Sequence, residues 1–416
     1  GATILCVTLL SGFYPAVVLS GFNPIAALRN KIAAKKASGI SLRRALVVLQ
    51  FCIAQILVIG TLVIIYQMNY FRNKSLGFDK EAVMTVPFPG DSLSQTRLPA
   101  LRNQLLQLPG VKGVSFSFAS PSDNGGWSTD FKYNNSPKKT DFSATLKWAD
   151  ADYFDLYKLQ FVAGKPYKKS DTITGYVVNE TLLHKLGVND PKEAIGKYIN
   201  VWDDKTKYAR IVGVVKDYNV SSLKNAIPAV LMASWRDVFH DINIKIQPTG
   251  INSTLASVQK IWNKTFPDGI YEYEFLDDKI ANFYKNDDQL SMLYKIFAGI
   301  AIFISCLGLY GLVSFMAVQR TKEVGIRKTL GASVGHIVYL FSKEFTLLIV
   351  FAFLISTPIG YYFMHQWLQD FAYKVPIGPD IFILAIVVSV AIAWASVGYK
   401  AVKAALANPV KSLRSE

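Results

Sequence analysis

One short charged segment, residues 320–333, holds the residues best placed to bind a partner. Glu323 and Arg327 lie four residues apart, the spacing at which opposite charges pair on a helix. Thr321 can cap the start of such a helix, and Gly331 can end it in a left-handed turn. An apolar side is formed by Val324, Ile326 and Leu330. A compact amphipathic segment of this kind fits a groove on another protein, so the chemistry it predicts is binding and not catalysis.

Catalytic and cofactor-binding patterns are missing from the rest of the sequence. No Gly-x4-Gly-Lys-Ser/Thr phosphate loop occurs, and the four histidines and three cysteines have no metal-ligand spacing. The acids of the central region form no convincing catalytic group: Asp130, Asp141, Asp150 and Asp152. We therefore expect a chain that is not an enzyme and binds no cofactor or metal.

Four uncharged runs position the charged segment: residues 45–71, 296–319, 345–369 and 381–399. Each is close to or longer than the about 20 apolar residues that cross a bilayer. The composition agrees, since 51% of residues are hydrophobic while 18% are charged. Averaging a membrane part with a water-soluble part gives such values, so lipid is an expected partner.

The net charge of +15 also follows the membrane pattern. Its basic excess clusters beside the apolar runs, as in residues 20–44, which hold six basic residues and no acid. Short basic loops stay in the cytoplasm, so we place this stretch and residues 320–340 inside and the large region between the first two runs outside. Topology thus explains the charge, and nucleic acid is not an expected partner.

These patterns predict an α-helical protein of the inner (plasma) membrane, multi-pass, with four complete spans and the end of another. A large extracytoplasmic α+β domain is inserted between two spans. The predicted segments are a helix end (1–19), a cytoplasmic linker (20–44), a span and stalk (45–72), the outer domain (73–289), a stalk and span (290–319), a cytoplasmic coupling segment (320–340), a span (341–366), a short outer loop (367–379), a span (380–400) and a cytoplasmic tail (401–416).

The outer domain shows a βαβ pattern at each end. Residues 81–88 and 111–118 are predicted strands around a helix at 96–108, and a helix at 252–266 precedes a strand at 271–275. These outer pieces predict one split βαβ unit, which encloses a mostly-β insertion at about 125–235. Residues 277–289 are predicted to form a helix that runs straight into the next span as a second stalk.

The two ends of the chain match each other without gaps at an offset of 385 residues. Eight of the 19 positions from 11 to 29 are identical to their counterparts. The cytoplasmic part of the match comprises Asn23, Pro24, Leu28 and Arg29 against Asn408, Pro409, Leu413 and Arg414. This repeat predicts a protein of two similar halves, of which the sequence holds the last piece of the first and all of the second.

At this point the residues resemble a known family. The run Glu323-Val-Gly-Ile-Arg-Lys-Thr-Leu-Gly-Ala332 is similar to the signature of the MacB/FtsX-type ABC permeases. The outer domain adds Tyr176-Val-Val-Asn-Glu180, Gly196-Lys197 and Ile211-Val-Gly-Val-Val-Lys-Asp217-Tyr218, which resemble the family's periplasmic core domain.

The resemblance implies a permease that transmits motion from a cytoplasmic ABC ATPase dimer to its outer domain, for export or extraction of a peptide, drug or lipoprotein. It implies a second permease half or a homodimer, and it leaves open a periplasmic adaptor or outer-membrane channel. The ATPase-coupling residues would be Arg320, Thr321, Glu323, Val324, Gly325, Ile326, Arg327, Lys328, Leu330, Gly331 and Ala332. An alternative is an FtsX-like regulator that passes an ATP signal to an external cell-wall hydrolase.

Overall fold

The structure is a computed structural model that describes residue 1 and residues 42–123, 126–319, 323, 326, 327 and 329–406. The predicted first helix end, almost all of the basic linker and the repeat residues lie outside this part of the chain. So do Arg320, Thr321, Val324, Gly325 and Lys328 of the coupling segment.

Helices and strands alternate in the outer domain, and long helices flank it. The helices are α1 (Leu42–Asn73), α2 (Ser92–Leu106), α3 (Asp152–Leu156), α4 (Glu180–Lys185), α5 (Pro191–Ala194), α6 (Ile251–Thr265), α7 (Leu276–Asn282), α8 (Lys285–Gln319), α9 (Val334–Leu368) and α10 (Pro379–Leu406). The strands are β1 (Val83–Pro87), β2 (Val111–Ser117), β3 (Trp127–Thr129), β4 (Phe131–Tyr133), β5 (Ala144–Trp148), β6 (Phe161–Gly164), β7 (Tyr176–Asn179), β8 (Tyr198–Val201), β9 (Tyr208–Val215), β10 (Val230–Ala233), β11 (Asp241–Ile246) and β12 (Glu274–Phe275).

Four helices of the described chain are long and apolar enough to cross a membrane. The candidate spans are Arg44–Asn73, Lys285–Met316, Val334–Leu368 and Pro379–Gly398. All four predicted runs therefore fall on long helices. The helices exceed the predicted segments, because α9 begins at Val334 and α10 continues to Leu406, so the first residues of the predicted tail are helical.

The chain forms two compact units. The first, here called the helix-end unit, comprises Gly1–Cys52, Ile304–Ala352 and Ile392–Glu416. The second, the domain unit, comprises Ile53–Phe303 and Phe353–Ala391, so it contains the whole outer domain and the adjoining parts of the four long helices.

Helices of the domain unit pack closely beside one another. A Cβ added to Gly60 of α1 would lie 2.8 Å from Cε1 of Tyr294 of α8, which only a glycine avoids without a shift of that ring. The Ser356 hydroxyl of α9 donates to Gln55 Oε1 of α1 at 2.9 Å. A polar residue within the first apolar run thus serves to join two helices.

The ends of the outer domain form a four-stranded antiparallel sheet in the order β12-β1-β11-β2. Its chain order is β1-α2-β2, then β11-α6-β12, which is the split βαβ arrangement that the sequence predicts. Asp91 caps α2, since its carboxylate accepts from the N–H groups of Leu93 and Ser94 at 3.0 and 2.9 Å. The helix therefore begins four residues before the predicted start.

The insertion between β2 and β11 is a second sheet in the order β3-β5-β10-β7-β9-β8-β4, with β6 paired to β9. It is mixed, because β5–β10 and β7–β9 are parallel pairs. Fully buried side chains of both sheets, such as Met84, Ile244, Phe131 and Leu231, share one hydrophobic core. The insertion and the split βαβ unit therefore fold as one body.

The predicted continuous second stalk is wrong. Helix α7 ends at Asn282 and α8 starts at Lys285. Between them, the N–H groups of Phe283 and Tyr284 donate to the carbonyls three residues earlier, of Ile280 and Ala281, at 3.2 and 3.0 Å. This tighter turn interrupts the α-helical ladder, and it is held by tertiary contacts of Tyr284 that the local sequence does not reveal.

Candidate functional site: the coupling segment and the stalk junction

The coupling segment of the helix-end unit contains the predicted ion pair. Arg327 Nη2 lies 2.6 Å from Glu323 Oε1, one helical turn away, with both side chains roughly 40% exposed. Such an exposed pair contributes only a few tenths of a kcal/mol. It therefore orients the segment and leaves both charges accessible to a partner.

The segment ends in the left-handed turn that the sequence predicts at Gly331. Gly331 has φ +90°, and the Ala332 N–H donates to the Arg327 carbonyl at 2.9 Å. This six-to-one hydrogen bond is the mark of a Schellman cap. Ser333 then opens α9, because its hydroxyl accepts from the His336 N–H at 3.2 Å. The chain turns within two residues from one helical segment into the next.

The apolar side of the segment is uncovered in this chain. Leu330 is 81% exposed and Ile326 is 47% exposed. Val324, the third predicted apolar residue, lies outside the described residues. Exposed leucine and isoleucine beside an accessible ion pair form an edge that a partner protein can cover.

Contacts between helices hold the helix-end unit around this segment. Arg44 of α1 forms an ion pair with Glu344 of α9. The Cys52 thiol donates to the Ala352 carbonyl at 3.4 Å, which again joins α1 to α9. At Gly308 of α8, an added Cβ would meet the side-chain amide of Gln50, so this glycine permits close approach.

A second group of residues, here called the stalk junction, lies in the domain unit where α1 ends and α8 begins. Arg72 Nη2 contacts Asp288 Oδ1 at 3.0 Å, and the rings of Phe71 and Tyr284 lie 5.1 Å apart. The Tyr284 hydroxyl accepts from the Leu223 N–H at 2.8 Å. The two stalks are therefore joined to each other and to a loop of the outer domain.

The same loop is bonded to the start of α8 and to the segment between α9 and α10. Lys224 Nζ donates to Asp287 Oδ1 at 2.9 Å, and Asp287 is almost fully buried. The Lys224 carbonyl accepts from the Ala372 N–H at 2.8 Å. Gln67 of α1 completes the junction, since it donates to the Tyr373 carbonyl at 2.8 Å and accepts from the Val375 N–H at 2.9 Å.

A buried polar cluster fixes α7 to the outer domain. Lys279 of α7 forms an ion pair with Asp123. Nearby, burial lowers the pKa of Lys147 to about 8, and this ammonium donates to the Ser120 carbonyl at 3.2 Å. Burial raises the pKa of Asp241 to about 6, against the opposing effect of Lys279. Burial disfavours the charged forms of Lys147 and Asp241, so the net charge of the cluster depends on pH.

Sequence reasoning found the Glu323–Arg327 pair and the Gly331 cap but not the stalk junction. Lys224 and Asp287 are 63 residues apart, and Gln67 and Val375 are 308 apart. No local pattern relates such residues. One feature of the sequence could have indicated the stalk junction: the acids Asp287 and Asp288 lie near an apolar run. An unpaired charge is costly there, so both acids need partners.

Two family models match this chain. The MacB-like periplasmic core domain matches residues 45–260, and the FtsX-like permease C-terminal region matches residues 295–409. The first match contains most of α1 and most of the outer domain. The second contains most of α8 and all of the coupling segment, α9 and α10.

Individual relatives are named as ABC transporter permeases or as ATP-binding/permease proteins. The chain is similar to the uncharacterized ABC transporter permease YknZ of Bacillus subtilis, with 22% identity over 270 residues, 62% of this chain and 65% of YknZ. It is similar to the macrolide export ATP-binding/permease protein MacB of Neisseria gonorrhoeae, with 22% identity over 302 residues, 67% of this chain and 45% of MacB. The chain thus spans less than two thirds of either relative.

Among solved structures, the chain is similar to the extracellular domain of the noncanonic ABC-type transporter YknZ from Gram-positive bacteria. The identity is 15%, the TM-score is 0.31, and the match covers 46% of this chain and 98% of that domain.

Proposed function

This chain belongs to the family of ABC transporter permeases that have a MacB-like periplasmic core domain and an FtsX-like C-terminal region, and from that premise we propose that it relays the motion of a partner ATPase to its outer domain. The coupling segment docks on the ATPase, and α8 carries the displacement to the stalk junction. The observation that carries this proposal is the exposed Ile326–Leu330 edge on a capped segment beside the end of α8.

Helix α8 supports the relay because it is continuous. It runs for 35 residues from Lys285 to Gln319, which corresponds to about 50 Å at 1.5 Å per residue. Its first turn holds Asp287 and Asp288, both bonded within the stalk junction. A continuous helix anchored at one end can transmit a push or a rotation that is applied at the other.

The proposed placement is the inner membrane, multi-pass, with the coupling segment in the cytoplasm and the outer domain in the periplasm or its equivalent. Its support is the distribution of basic residues beside the candidate spans. ATP and Mg²⁺ then belong to the partner ATPase dimer. A second permease half or a second copy of the chain completes the assembly around two ATPase subunits.

The proposed activity is export or extraction of a substrate of the peptide, drug or lipoprotein class. Its support is that several relatives are macrolide export ATP-binding/permease proteins by name.

In-cell photo-crosslinking tests the docking step. A photoreactive phenylalanine replaces Leu330, which is 81% exposed, and in a matched control it replaces Ile270 of the outer domain, which is 80% exposed. Position 330 is expected to capture a protein with an ATP-binding phosphate loop, and position 270 is not. Capture of that ATPase equally from both positions, or from neither, contradicts the proposal.

Labelling of intact cells tests the placement. Ile270→Cys is expected to react with a membrane-impermeant maleimide added outside, whereas Leu330→Cys reacts only after lysis. The native Cys52 is buried and Cys306 lies within α8, so a parallel sample without the new cysteine sets the background. Labelling of Leu330→Cys from outside would reverse the assignment.

A further inference from the structure

Two adjoining cavities lie where α1 ends. The larger has a volume of about 730 Å³, between the segment that follows α1 and residues 216–219. The smaller, of about 270 Å³, lies against α7 and the start of α8. They share one wall, formed by Arg72, Lys74, Leu76 and Lys80. A molecule seated against that wall can reach both.

The larger cavity is basic, since five basic side chains line it against three acidic ones. Lys74, Lys80 and Lys216 form no ion pair within the described part of the chain. Lys74 is half-buried and donates to the Tyr70 hydroxyl at 3.0 Å, and Lys80 is half-buried as well. Three ammonium groups around one cavity attract a group with negative charge.

Two of the cavity's carboxylates already have other partners. Asp79 contacts Lys158 at 2.7 Å and Lys245 at 2.9 Å. Asp217 accepts from the Asn179 amide at 2.7 Å, and both its oxygens also accept bonds from Thr181. These acids are therefore poorly placed to neutralise the three lysines.

The smaller cavity is partly apolar. Its wall includes four buried apolar residues: Met68 and Phe71 of α1, Leu76 just after α1, and Ile280 of α7. Of its two acids, Asp277 and Asp288, the second is bonded to Arg72. A basic cavity and an apolar one that share a wall together suit an amphiphile with a negatively charged head.

The end of α1 has the residue pattern that is typical of a membrane surface. The apolar run of α1 ends at Phe71, and Arg72 and Lys74 follow at once. The Lys74 ammonium lies 4.4 Å from the ring centroid of Tyr373. Tyrosines beside basic residues at the end of a span are typical of the headgroup layer.

We propose that these cavities bind a membrane phospholipid. Lys74, Lys80 and Lys216 contact its phosphate in the larger cavity, and the smaller cavity takes the start of an acyl chain. The lipid then bridges the stalk and the outer domain beside the junction. The site contains none of the residues proposed to dock on the ATPase, because all of its residues lie in the domain unit.

The test is lipid titration of the full chain in detergent, followed by native mass spectrometry. Phosphatidylglycerol is compared with diacylglycerol, which has the same acyl chains and no phosphate. Each lysine near an anionic lipid contributes about fivefold to affinity. The variant with Lys74, Lys80 and Lys216 all changed to Gln is therefore expected to bind phosphatidylglycerol about 100-fold more weakly, with diacylglycerol binding unchanged.

Two further variants and one soluble ligand complete the test. Changing the same three lysines to Arg is expected to keep phosphatidylglycerol binding, and changing Lys260 and Lys264, exposed on α6, to Gln is expected to have no effect. Wild-type affinity in the triple Gln variant overturns the proposal. So does displacement of the lipid by an equal concentration of soluble glycerol phosphate, since that marks a site for free anions.

Discussion

The cap at Gly331 gives the sharpest prediction about coupling. Gly331 has φ +90°, and a Cβ at this position would meet nothing within 4 Å. A Gly331→Ala variant therefore suffers no clash, only the strain of holding an L-residue in a left-handed conformation, about 1–2 kcal/mol. That strain lowers the population of the capped segment about 5–30-fold.

A partner that binds only the capped form should lose apparent affinity by the same factor. The assay reconstitutes the chain in nanodiscs, adds the ATPase captured at position 330, and measures the concentration that gives half-maximal stimulation of ATP hydrolysis. Gly331→Ala is expected to raise that concentration about 5–30-fold. The half-maximal concentration for Gly331→Asn should lie between those of the wild type and Gly331→Ala, because asparagine tolerates the left-handed region better than alanine.

Gly335 is a matched control four residues away. It lies in the first turn of α9, and its added Cβ would meet only the Ser333 hydroxyl at 3.9 Å. Gly335→Ala is therefore expected to favour the helix and leave stimulation unchanged or stronger. If Gly331→Ala keeps wild-type stimulation, or if both glycine variants lose it equally, the reasoning from backbone strain is wrong.

Three further predictions follow from the contacts of the site. Arg327→Glu places a second carboxylate one turn from Glu323, and we expect loss of ATPase stimulation with an unchanged thermal unfolding temperature of the outer domain. Lys224→Met leaves Asp287 buried without its partner, so stability should fall by about 2–3 kcal/mol, measured by urea unfolding. Asp241 has its folded pKa raised to about 6, so it stabilises the fold below pH 4 and loses this effect as the pH rises to 6. Asp241→Asn should remove that slope and add up to about 3 kcal/mol at pH 7, read from unfolding across pH.

Each of these has a clear contrary result. Normal stimulation of ATP hydrolysis by the Arg327→Glu variant would show that the Glu323–Arg327 ion pair takes no part in docking. An unchanged urea midpoint in Lys224→Met would show that Asp287 is solvated in the folded chain. An Asp241→Asn variant with the same pH slope as the wild type would assign the titration to another group.

The parts that the sequence predicts correctly are those set by local pattern. The strand-forming residues around Val83–Pro87 and Val111–Ser117, with Pro109 and Gly110 between helix and strand, suffice to place the split βαβ unit. The ion pair at Glu323 and the cap at Gly331 also depend only on spacing within two turns.

The predicted helix boundaries differ from the structure where contacts between residues far apart in the sequence decide them. The third uncharged run begins at 345, directly after Lys343 and Glu344, and the predicted span begins at 341, whereas α9 begins at Val334 behind its Ser333 cap. Glu344 is tolerated within that helix because it pairs with Arg44, 300 residues away. The break at Tyr284 likewise depends on a bond from Leu223, which no local window contains.

Hydrogen exchange of the reconstituted permease–ATPase complex tests the relay most directly. Exchange is compared between the nucleotide-free and ATP-bound complexes, in wild type and in Leu330→Asp. We expect peptides covering residues 219–225, 284–288 and 369–375 to change protection with nucleotide, because the amides of Leu223 and Ala372 are bonded across the junction. The Leu330→Asp variant should abolish this change. Nucleotide-dependent protection confined to the coupling segment, with an unchanged junction, would refute the relay.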